Sequence, residues 1–556
     1  MSKVRLALAQ TNPTVGDIEG NSELIFNSVC DAAAQGANLV VFGEMALTGY
    51  PIEDLSARPE FLSDASQAVE QLAQRIHNSG LDGVAVVVGH PRAVAQGDPD
   101  AGEHEWSIAQ NTASVLRGGR IIGNYAKHHL PNYSVFDEYR NFVPGDELLT
   151  FEHLGLRFST VICEDIWQDG GPVAQIGGAK TDVTLILNGS PFELEKINRR
   201  VELVQHLAKT HDCAAVYVNL IGGQDDLVFD GASFAIDRIG QVAARAESFK
   251  SDLVLIEIGA DGGIEQITPP RRQPNSQIEA VWHALVLGLR DYVEKNGFKS
   301  VVLGLSGGID SAVCAAIAKD AIGSNSVFGV SMPSRYSSDG SISDAQDLAD
   351  RLEISLRTEP IENFFQSFQG QLQLTDLAAE NLQARIRGVI LMGVSNAEGH
   401  LTLTTGNKTE LAVGYSTIYG DSVGGFAPIK DVAKTMVWQL ARWRNEQALR
   451  DGEVQPIPEN SITKPPSAEL RPGQVDQDSL PEYDVLDEML ELYINKHRSV
   501  SELIAAGFDA DTVKRVTTLV DRAEWKRRQG AIGPKISGMA FGRDRRLPIT
   551  NRFKSH

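Results

Sequence analysis

Three side chains in the first half of the sequence, Glu44, Lys127 and Cys163, are of the types needed to break an amide. A thiol must lose its proton to attack a carbonyl, and a neighbouring carboxylate can take it. A fixed ammonium then offsets the negative charge that develops on the carbonyl oxygen. Glu44 ends the strand-like run NLVVF and opens EMALTGYP. Lys127 sits in YAKHHLPNYSVFDE, and Cys163 closes RFSTVI and begins CEDIW. Taken singly, a strand-end cysteine is more often packing, and a strand-end glutamate or lysine more often surface. The three contexts together are what point to chemistry.

A second set stands in the other half as one continuous stretch, Gly304, Leu305, Ser306, Gly307, Gly308, Ile309, Asp310 and Ser311, between a strand and a helix. Glycines let backbone N–H groups approach phosphate oxygens, and a helix N-terminus turns its positive end to the anion. A Walker loop would continue with lysine, which reaches the terminal phosphates. Here Asp310 stands instead, and a carboxylate beside a hydroxyl suits a magnesium-bridged pyrophosphate leaving group. The plain alternative is a glycine turn capped by Asp310 or Ser311.

The 304–311 stretch resembles the pyrophosphatase loop of enzymes that adenylate a substrate, among them NAD, GMP, asparagine and argininosuccinate synthetases. The block TTGNKTELAVGYSTIYGDSVGGFAPIKDVAKT (404–435) is similar to NAD synthetases of the glutamine-dependent kind. It carries lysine-threonine where the small ammonia-dependent kind has a histidine. The resemblance implies that Gly304 to Ser311, Thr405, Lys434 and Ser467 (in KPPSAEL, 464–470) contact ATP, with Asp310 and Glu410 as ligands of Mg²⁺. It also implies deamido-NAD⁺ contacts for Glu410, for Asn381 and Arg385 at i, i+4 in AENLQARIRG (379–388), and for Lys526 in WKRRQ (525–529).

The flanks of Glu44, Lys127 and Cys163 resemble the three local contexts of the Glu-Lys-Cys triad in the nitrilase superfamily, whose fold is an α-β-β-α sandwich. That resemblance makes Tyr133, Ser190 and Lys196 the glutamine contacts and Glu138 a supporting second glutamate. Two positions depart from it: Gly43 precedes Glu44 where proline is common, and Ser134 follows Tyr133 where glycine is common. Cys30, Cys213 and Cys314 fit no such context and read as packing residues.

Strands must present these groups, and the sequence supplies them. Runs at 4–10, 38–44, 84–90, 112–119, 157–164, 183–190, 214–222 and 251–259 alternate with helix-period stretches such as 20–35, 64–78 and 193–210. That order predicts an α/β domain. The stretches 112–124 and 231–247 read as hairpins, which makes the sheet mixed. ITPPRRQPNS (267–276) lacks periodicity and reads as a linker. Beyond it come a helix (278–296), a strand (300–306), the glycine loop, a helix (310–321) and a strand (326–332), the start of a doubly wound, Rossmann-like parallel sheet. The expected domains are an amidohydrolase unit over 1–268, a linker over 269–277 and a synthetase unit over 278–556. The proline-rich stretch 451–482 reads as a long loop or lid.

Composition narrows the classes. The 556 residues are 42% hydrophobic and 22% charged, with a net charge of −22. That balance argues against disorder, against nucleic-acid coating and against a membrane-surface role. No apolar run approaches the ~18–20 residues that span a bilayer. MSKVRLALAQTNP alternates like a strand and lacks the apolar stretch of a signal peptide. Four cysteines without a C-x-x-C pair indicate neither a disulfide framework nor a zinc knuckle. Lys526 to His556 holds nine Lys/Arg and one acidic residue, a basic island suited to dinucleotide phosphates or to an acidic patch on a neighbouring subunit.

Both resemblances together, in this order, imply a glutamine-dependent NAD⁺ synthetase. They imply glutamine, ATP and deamido-NAD⁺ as small-molecule partners, Mg²⁺ with ATP, a cytoplasmic location and a large homo-oligomer, often an octamer. Ammonia in neutral water is mostly ammonium, so passing it between two sites implies a covered path. Three readings remain open beside this one: an amidating ligase of the same loop family acting on another carboxylate, an amidase with an inactive nucleotide-binding appendage, and a nucleotide sensor without turnover.

Overall fold

The computed structural model describes residues 3–94 and 109–553. It forms two compact units, one of residues up to Gln224 with Val228–Pro274, the other of Asp225–Leu227 with Asn275 onward.

The strands of the first unit, in chain order, are β1 (Val4–Gln10), β2 (Leu39–Val41), β3 (Ala85–Ala93), β4 (Ala109–Arg117), β5 (Arg120–Ala126), β6 (Leu149–His153), β7 (Leu156–Ile162), β8 (Val183–Asn188) and β9 (Ala214–Asn219). A short hairpin, β10 (Ile221–Gln224) and β11 (Leu227–Asp230), precedes β12 (Phe234–Ile236), β13 (Val242–Arg245), β14 (Asp252–Ile258) and β15 (Ile264–Gln266). They build a seven-stranded sheet, β15-β14-β1-β2-β3-β4-β5, and a six-stranded one, β13-β12-β9-β8-β7-β6. Both are mixed: β1, β2 and β3 run parallel, as do β7, β8 and β9, while β4/β5 and β12/β13 are antiparallel pairs.

Apolar side chains of both sheets meet in one core, where Leu6, Val41, Val87 and Val115 of the first join Phe158, Leu185, Val216 and Phe234 of the second. Tyr217 stacks on Phe234 with ring centres 4.8 Å apart. Helices α1 (Ile18–Ala34) and α2 (Pro59–Asn78) pack together, and α2 lies along β3. A short α3 (Glu138–Asn141) precedes α4 (Lys196–His211), which lies on β9 of the other sheet. The result is an α-β-β-α sandwich. The periodicity of α2 shows why it docks: Leu62, Ala65, Val69, Leu72, Ala73 and Ile76 recur at three- and four-residue spacing and are the buried ones.

In the second unit, Ser276 caps α5 (Gln277–Lys295) by accepting from the N–H of Glu279. Strands β16 (Val301–Gly304), β17 (Val327–Ser331), β18 (Ser355–Thr358) and β19 (Leu401–Thr402) form a sheet in the order β18-β17-β16-β19, every pair parallel. That is a doubly wound order, with its reversal between β16 and β19, where the loops leaving the two strands diverge and open a crevice. The connecting helices are α6 (Ile309–Ile322), α7 (Asp339–Leu352), α8 (Glu362–Leu372) and α9 (Asp376–Glu398), with α10 (Lys408–Val413) and α11 (Lys434–Arg450) after β19. α6 is buried almost all round, as its run of alanine, valine and isoleucine requires. Helices over 483–490, 500–505 and 510–522 make a separate small core with α10. The 451–482 stretch is largely irregular yet tied down, with Asn445 exchanging two hydrogen bonds with the backbone of Ile457. Among the described residues, no helix is long and apolar enough to cross a membrane.

Candidate active sites

Parallel strands of the first unit end on one side, and the side chains singled out in the sequence stand at those ends. Glu44 follows β2, Lys127 follows β5, Cys163 follows β7 and Ser190 follows β8. The Lys127 ammonium lies 2.8 Å from Glu44 Oε1 and 2.8 Å from Glu138 Oε2, all three side chains buried. Burial works against its charge, but the Glu138 and Glu44 carboxylates prevail and hold its pKa well above the ordinary lysine value. Glu44 is further fixed by Asn111 Nδ2 on Oε1 at 2.7 Å and by the Gly189 N–H on Oε2 at 2.7 Å. Burial pushes the Glu138 carboxyl up to about 7 even beside Lys127. Removing Lys127 would leave two carboxylates buried without their cation, a change that costs roughly 3–5 kcal/mol.

The backbone around these groups is held close. A Cβ on Gly89 would come within 2.4 Å of Met45 N, so only glycine lets the Glu44 turn lie across β3. Met45 and Cys163 adopt left-handed backbone, with φ of 53° and 42°, a conformation that costs a side-chain-bearing residue energy. Ser134 does too, at 55°, so its departure from glycine places a strained residue just after Tyr133. Burial pushes the Cys163 thiol well above the usual cysteine range, Glu44's charge adds to the shift and Lys127's opposes it. Cys163 therefore rests as a thiol, and any attack by its sulfur would need a base.

The sequence-predicted glutamine contacts differ in exposure. Tyr133 is half-exposed and donates to Glu164 Oε2 at 2.9 Å. Lys196 opens α4, its ammonium 5.9 Å from the ring centre of Phe136, which packs edge-on against Tyr133. Ser190 is buried, and its hydroxyl accepts from Arg200 Nε at 3.2 Å. Arg200, buried and paired with Asp230 at 2.7 Å, had no signal in the sequence beyond its place on a helix.

In the second unit a cavity of about 320 Å³ opens over the carboxyl ends of β16 and β19. Gly304, Leu305, Ser306, Gly308, Ile309, Asp310 and Ser311 line it, and so do Thr405, Glu410, Lys434 and Ser467. Gly307 is not in its wall; it has φ 75°, and a Cβ there would come within 2.4 Å of Ser341 O. No side chain caps α6, so its first N–H groups are left to face an anion. Lys434, almost wholly buried, forms ion pairs with Asp310 and, at 3.1 Å, with Glu410. Burial lowers its pKa, but the two carboxylates raise it above the ordinary value, while burial lifts Glu410 to about 7. Asn407 donates to Asp310 Oδ1 at 2.9 Å, joining the loop after β19 to the first turn of α6. It also caps α10 in a reciprocal box with Glu410.

Asn381, Arg385 and Lys526 are outside the cavity wall and meet instead at the 414–418 loop. Asn381 Oδ1 accepts from Thr417 Oγ1 at 2.8 Å, Arg385 Nε donates to Ile418 O at 3.3 Å, and Lys526 Nζ donates to the carbonyls of Gly414 and Ser416, both at 2.7 Å. Most of the basic island has internal partners: Arg527 and Arg528 pair with Glu524, Lys535 with Asp544 and Arg545 with Asp521. Its charge therefore serves folding more than the sequence suggested. Lys408 is buried too, 2.9 Å from Asp431.

Two family models match the chain, carbon-nitrogen hydrolase over residues 5–263 and NAD synthase over residues 281–530. The glutamine-dependent NAD(+) synthetase of Acinetobacter baylyi is 45% identical over 563 residues, covering 100% of this chain and 99% of the relative. That of Thermotoga maritima is 43% identical, with 100% of both chains covered. The chain belongs to the glutamine-dependent NAD(+) synthetase family. It is therefore a ligase that uses glutamine as its amido donor, with a hydrolase-like and a synthetase-like part. Among solved structures, the glutamine-dependent NAD⁺ synthetase of Acinetobacter baumannii, in complex with ADP, has a TM-score of 0.76 and 40% identity over 100% of both chains. A glutamine-dependent NAD(+) synthetase from Cytophaga hutchinsonii shares the fold at a TM-score of 0.81 and 23% identity.

Proposed function

We propose that this synthetase divides its reaction between the two residue sets, with glutamine opened at Cys163 and deamido-NAD⁺ amidated over the 304–311 loop. The observation that carries the division is the buried Glu44–Lys127–Glu138 group beside a protonated, strained Cys163. The cysteine is what distinguishes this group from the Lys434–Asp310–Glu410 group of the second unit, and thiol, carboxylate and ammonium together are the set that amide cleavage needs.

Glu44 takes the thiol proton as the sulfur attacks the side-chain amide of glutamine. Lys127, already fixed by two carboxylates, stabilises the oxyanion without having to reorganise. The amide nitrogen leaves as ammonia with the proton that Glu44 returns, and water then releases glutamate from the thioester. Glu138 holds Lys127 through a second ion pair, 2.8 Å from its ammonium. Tyr133, Ser190 and Lys196 bind glutamine.

At the second set the carboxylate of deamido-NAD⁺ attacks the ATP α-phosphate, pyrophosphate leaves, and ammonia displaces AMP. The uncapped start of α6 and the Lys434 ammonium suit the departing pyrophosphate, and the ADP held by the A. baumannii relative supports a nucleotide in this fold. Asp310 and Glu410 supply oxygen donors in the cavity wall, and both already attract a cation, Lys434. That donor set fits Mg²⁺, which takes one or two carboxylates together with substrate phosphates. Among the described residues, no cluster of three or more His, Cys, Asp or Glu forms an all-protein metal centre. Bound there, the metal would neutralise charge on the polyphosphate. We assign Thr405 and Ser467 to ATP, and Asn381, Arg385 and Lys526 to the deamido-NAD⁺ side through the 414–418 loop they hold. We also infer a cytoplasmic homo-oligomer, octameric by family resemblance.

Mass-spectrometric product analysis with ATP, Mg²⁺, glutamine and deamido-NAD⁺ tests the reading. NAD⁺, AMP and glutamate forming together support it, and turnover without AMP overturns it.

A further inference from the structure

Asp165 lies two residues beyond the nucleophile, with its side chain fully buried. Its Oδ2 accepts the Ile162 N–H at 2.9 Å and the Tyr125 hydroxyl at 2.7 Å. Its Oδ1 accepts the N–H groups of His128 at 3.0 Å and His129 at 2.8 Å. One carboxylate thus joins two strand ends. Ile162 immediately precedes Cys163 at the end of β7, while Tyr125 is in β5 and His128 directly follows Lys127.

From this bridge we infer that Asp165 is a positioning residue for glutamine cleavage, setting the distance between the nucleophile and the cation that receives the oxyanion. The inference rests on the proposed roles of Cys163 and Lys127.

The chemistry of the node requires a carboxylate. Four donors converge on it, and only an ionised acid offers two oxygens that accept on both sides. An amide would turn N–H against N–H at one pair, cutting the link to either the Cys163 side or the Lys127 side. The tie also explains how Cys163 keeps its left-handed backbone, φ 42°, since Ile162 before it and Asp165 after it are pinned to each other. Catalysis depends steeply on such placement, with a misplacement of about 1 Å costing on the order of 10²-fold. None of the four contacts involves glutamine, so substrate binding should be spared.

The same chain contains its own control, because synthesis from ammonium salt needs neither Cys163 nor Lys127. Asp165→Asn should lower kcat for glutamine hydrolysis by about 10²-fold, leave KM for glutamine within a few-fold and leave ammonium-driven NAD⁺ formation unchanged. Tyr125→Phe, which removes one donor of four and no charge, should give a smaller loss of the same kind, and keeps the test available if Asp165→Asn fails to fold. A folded Asp165→Asn or Tyr125→Phe enzyme with wild-type kcat overturns the inference, as does a loss carried entirely in KM. Cys163→Ala run in parallel separates the two levels. If it still consumes glutamine, the underlying reading fails. If it is inactive while both Asp165→Asn and Tyr125→Phe keep their turnover, only the positioning role does.

Discussion

Lys127 Nζ sits 2.8 Å from Oε1 of Glu44, and solvent reaches almost none of either side chain. A buried pair of this kind is a weak source of stability, since desolvation offsets much of its attraction. Its value lies in placement. The two carboxylates keep the lysine charged, and the pair holds Glu44 and Lys127 in the places that the proposed base and oxyanion partner require.

Glu44→Gln keeps the shape of that base and removes its charge. Glu44's charge raises the pKa of the Cys163 thiol, so losing it should lower that pKa and increase the thiolate fraction at neutral pH. The expected outcome is faster alkylation of Cys163 by iodoacetamide, together with a loss of glutamine hydrolysis of about 10²–10⁴-fold. Parallel loss of both would contradict the base assignment. Peptide mapping of the alkylated cysteine, alongside a glutamate assay, reads the two quantities.

Asp310 accepts from Asn407 and pairs with Lys434 in the cavity wall. Asp310→Asn should cut NAD⁺ synthesis by orders of magnitude with either nitrogen donor, while glutamine hydrolysis measured without the other substrates persists. Chelation of divalent cations with EDTA should reproduce this split in the wild-type enzyme, and added Mg²⁺ should reverse it. Near-normal NAD⁺ formation by the variant would make the aspartate structural.

Lys526 uses its ammonium on two carbonyls of the 414–416 turn. Lys526→Ala would free that turn just beyond α10, the helix that carries Glu410. KM for deamido-NAD⁺ should rise about tenfold, the scale of one lost charge-assisted hydrogen bond, with KM for glutamine unchanged. Steady-state kinetics in each substrate distinguish this from a subunit-contact role, in which KM would hold and the oligomer distribution would shift.

Local texts made much of this legible. The Glu44, Lys127 and Cys163 contexts and the 304–311 loop each lie within a few residues of a strand end, where pattern and chemistry coincide. The strands themselves were readable because their buried runs are nearly continuous, as in β8 and β9. What escaped depends on contacts distant in sequence. Asn111 on Glu44, Asn407 on Asp310 and Arg200 on Ser190 look like ordinary polar residues until the fold closes. The basic island shows the reverse: its composition suggested an anionic ligand, but Arg527, Lys535 and Arg545 find carboxylates within their own unit. Composition counts charges and cannot say which are already paired.

Cys163→Ala tests the division of labour most directly, by NAD⁺ formation measured from glutamine and from ammonium salt in one preparation. The substitution removes the proposed nucleophile and leaves the Asp310, Glu410 and Lys434 group untouched. A stability loss in the ordinary range of ~0.5–3 kcal/mol is expected, with Cys30→Ala and Cys213→Ala as controls that retain glutamine use. The account predicts no NAD⁺ from glutamine and sustained NAD⁺ from high ammonium at mildly alkaline pH, where more of it is free ammonia. NAD⁺ formation from glutamine by the Cys163→Ala enzyme would contradict it.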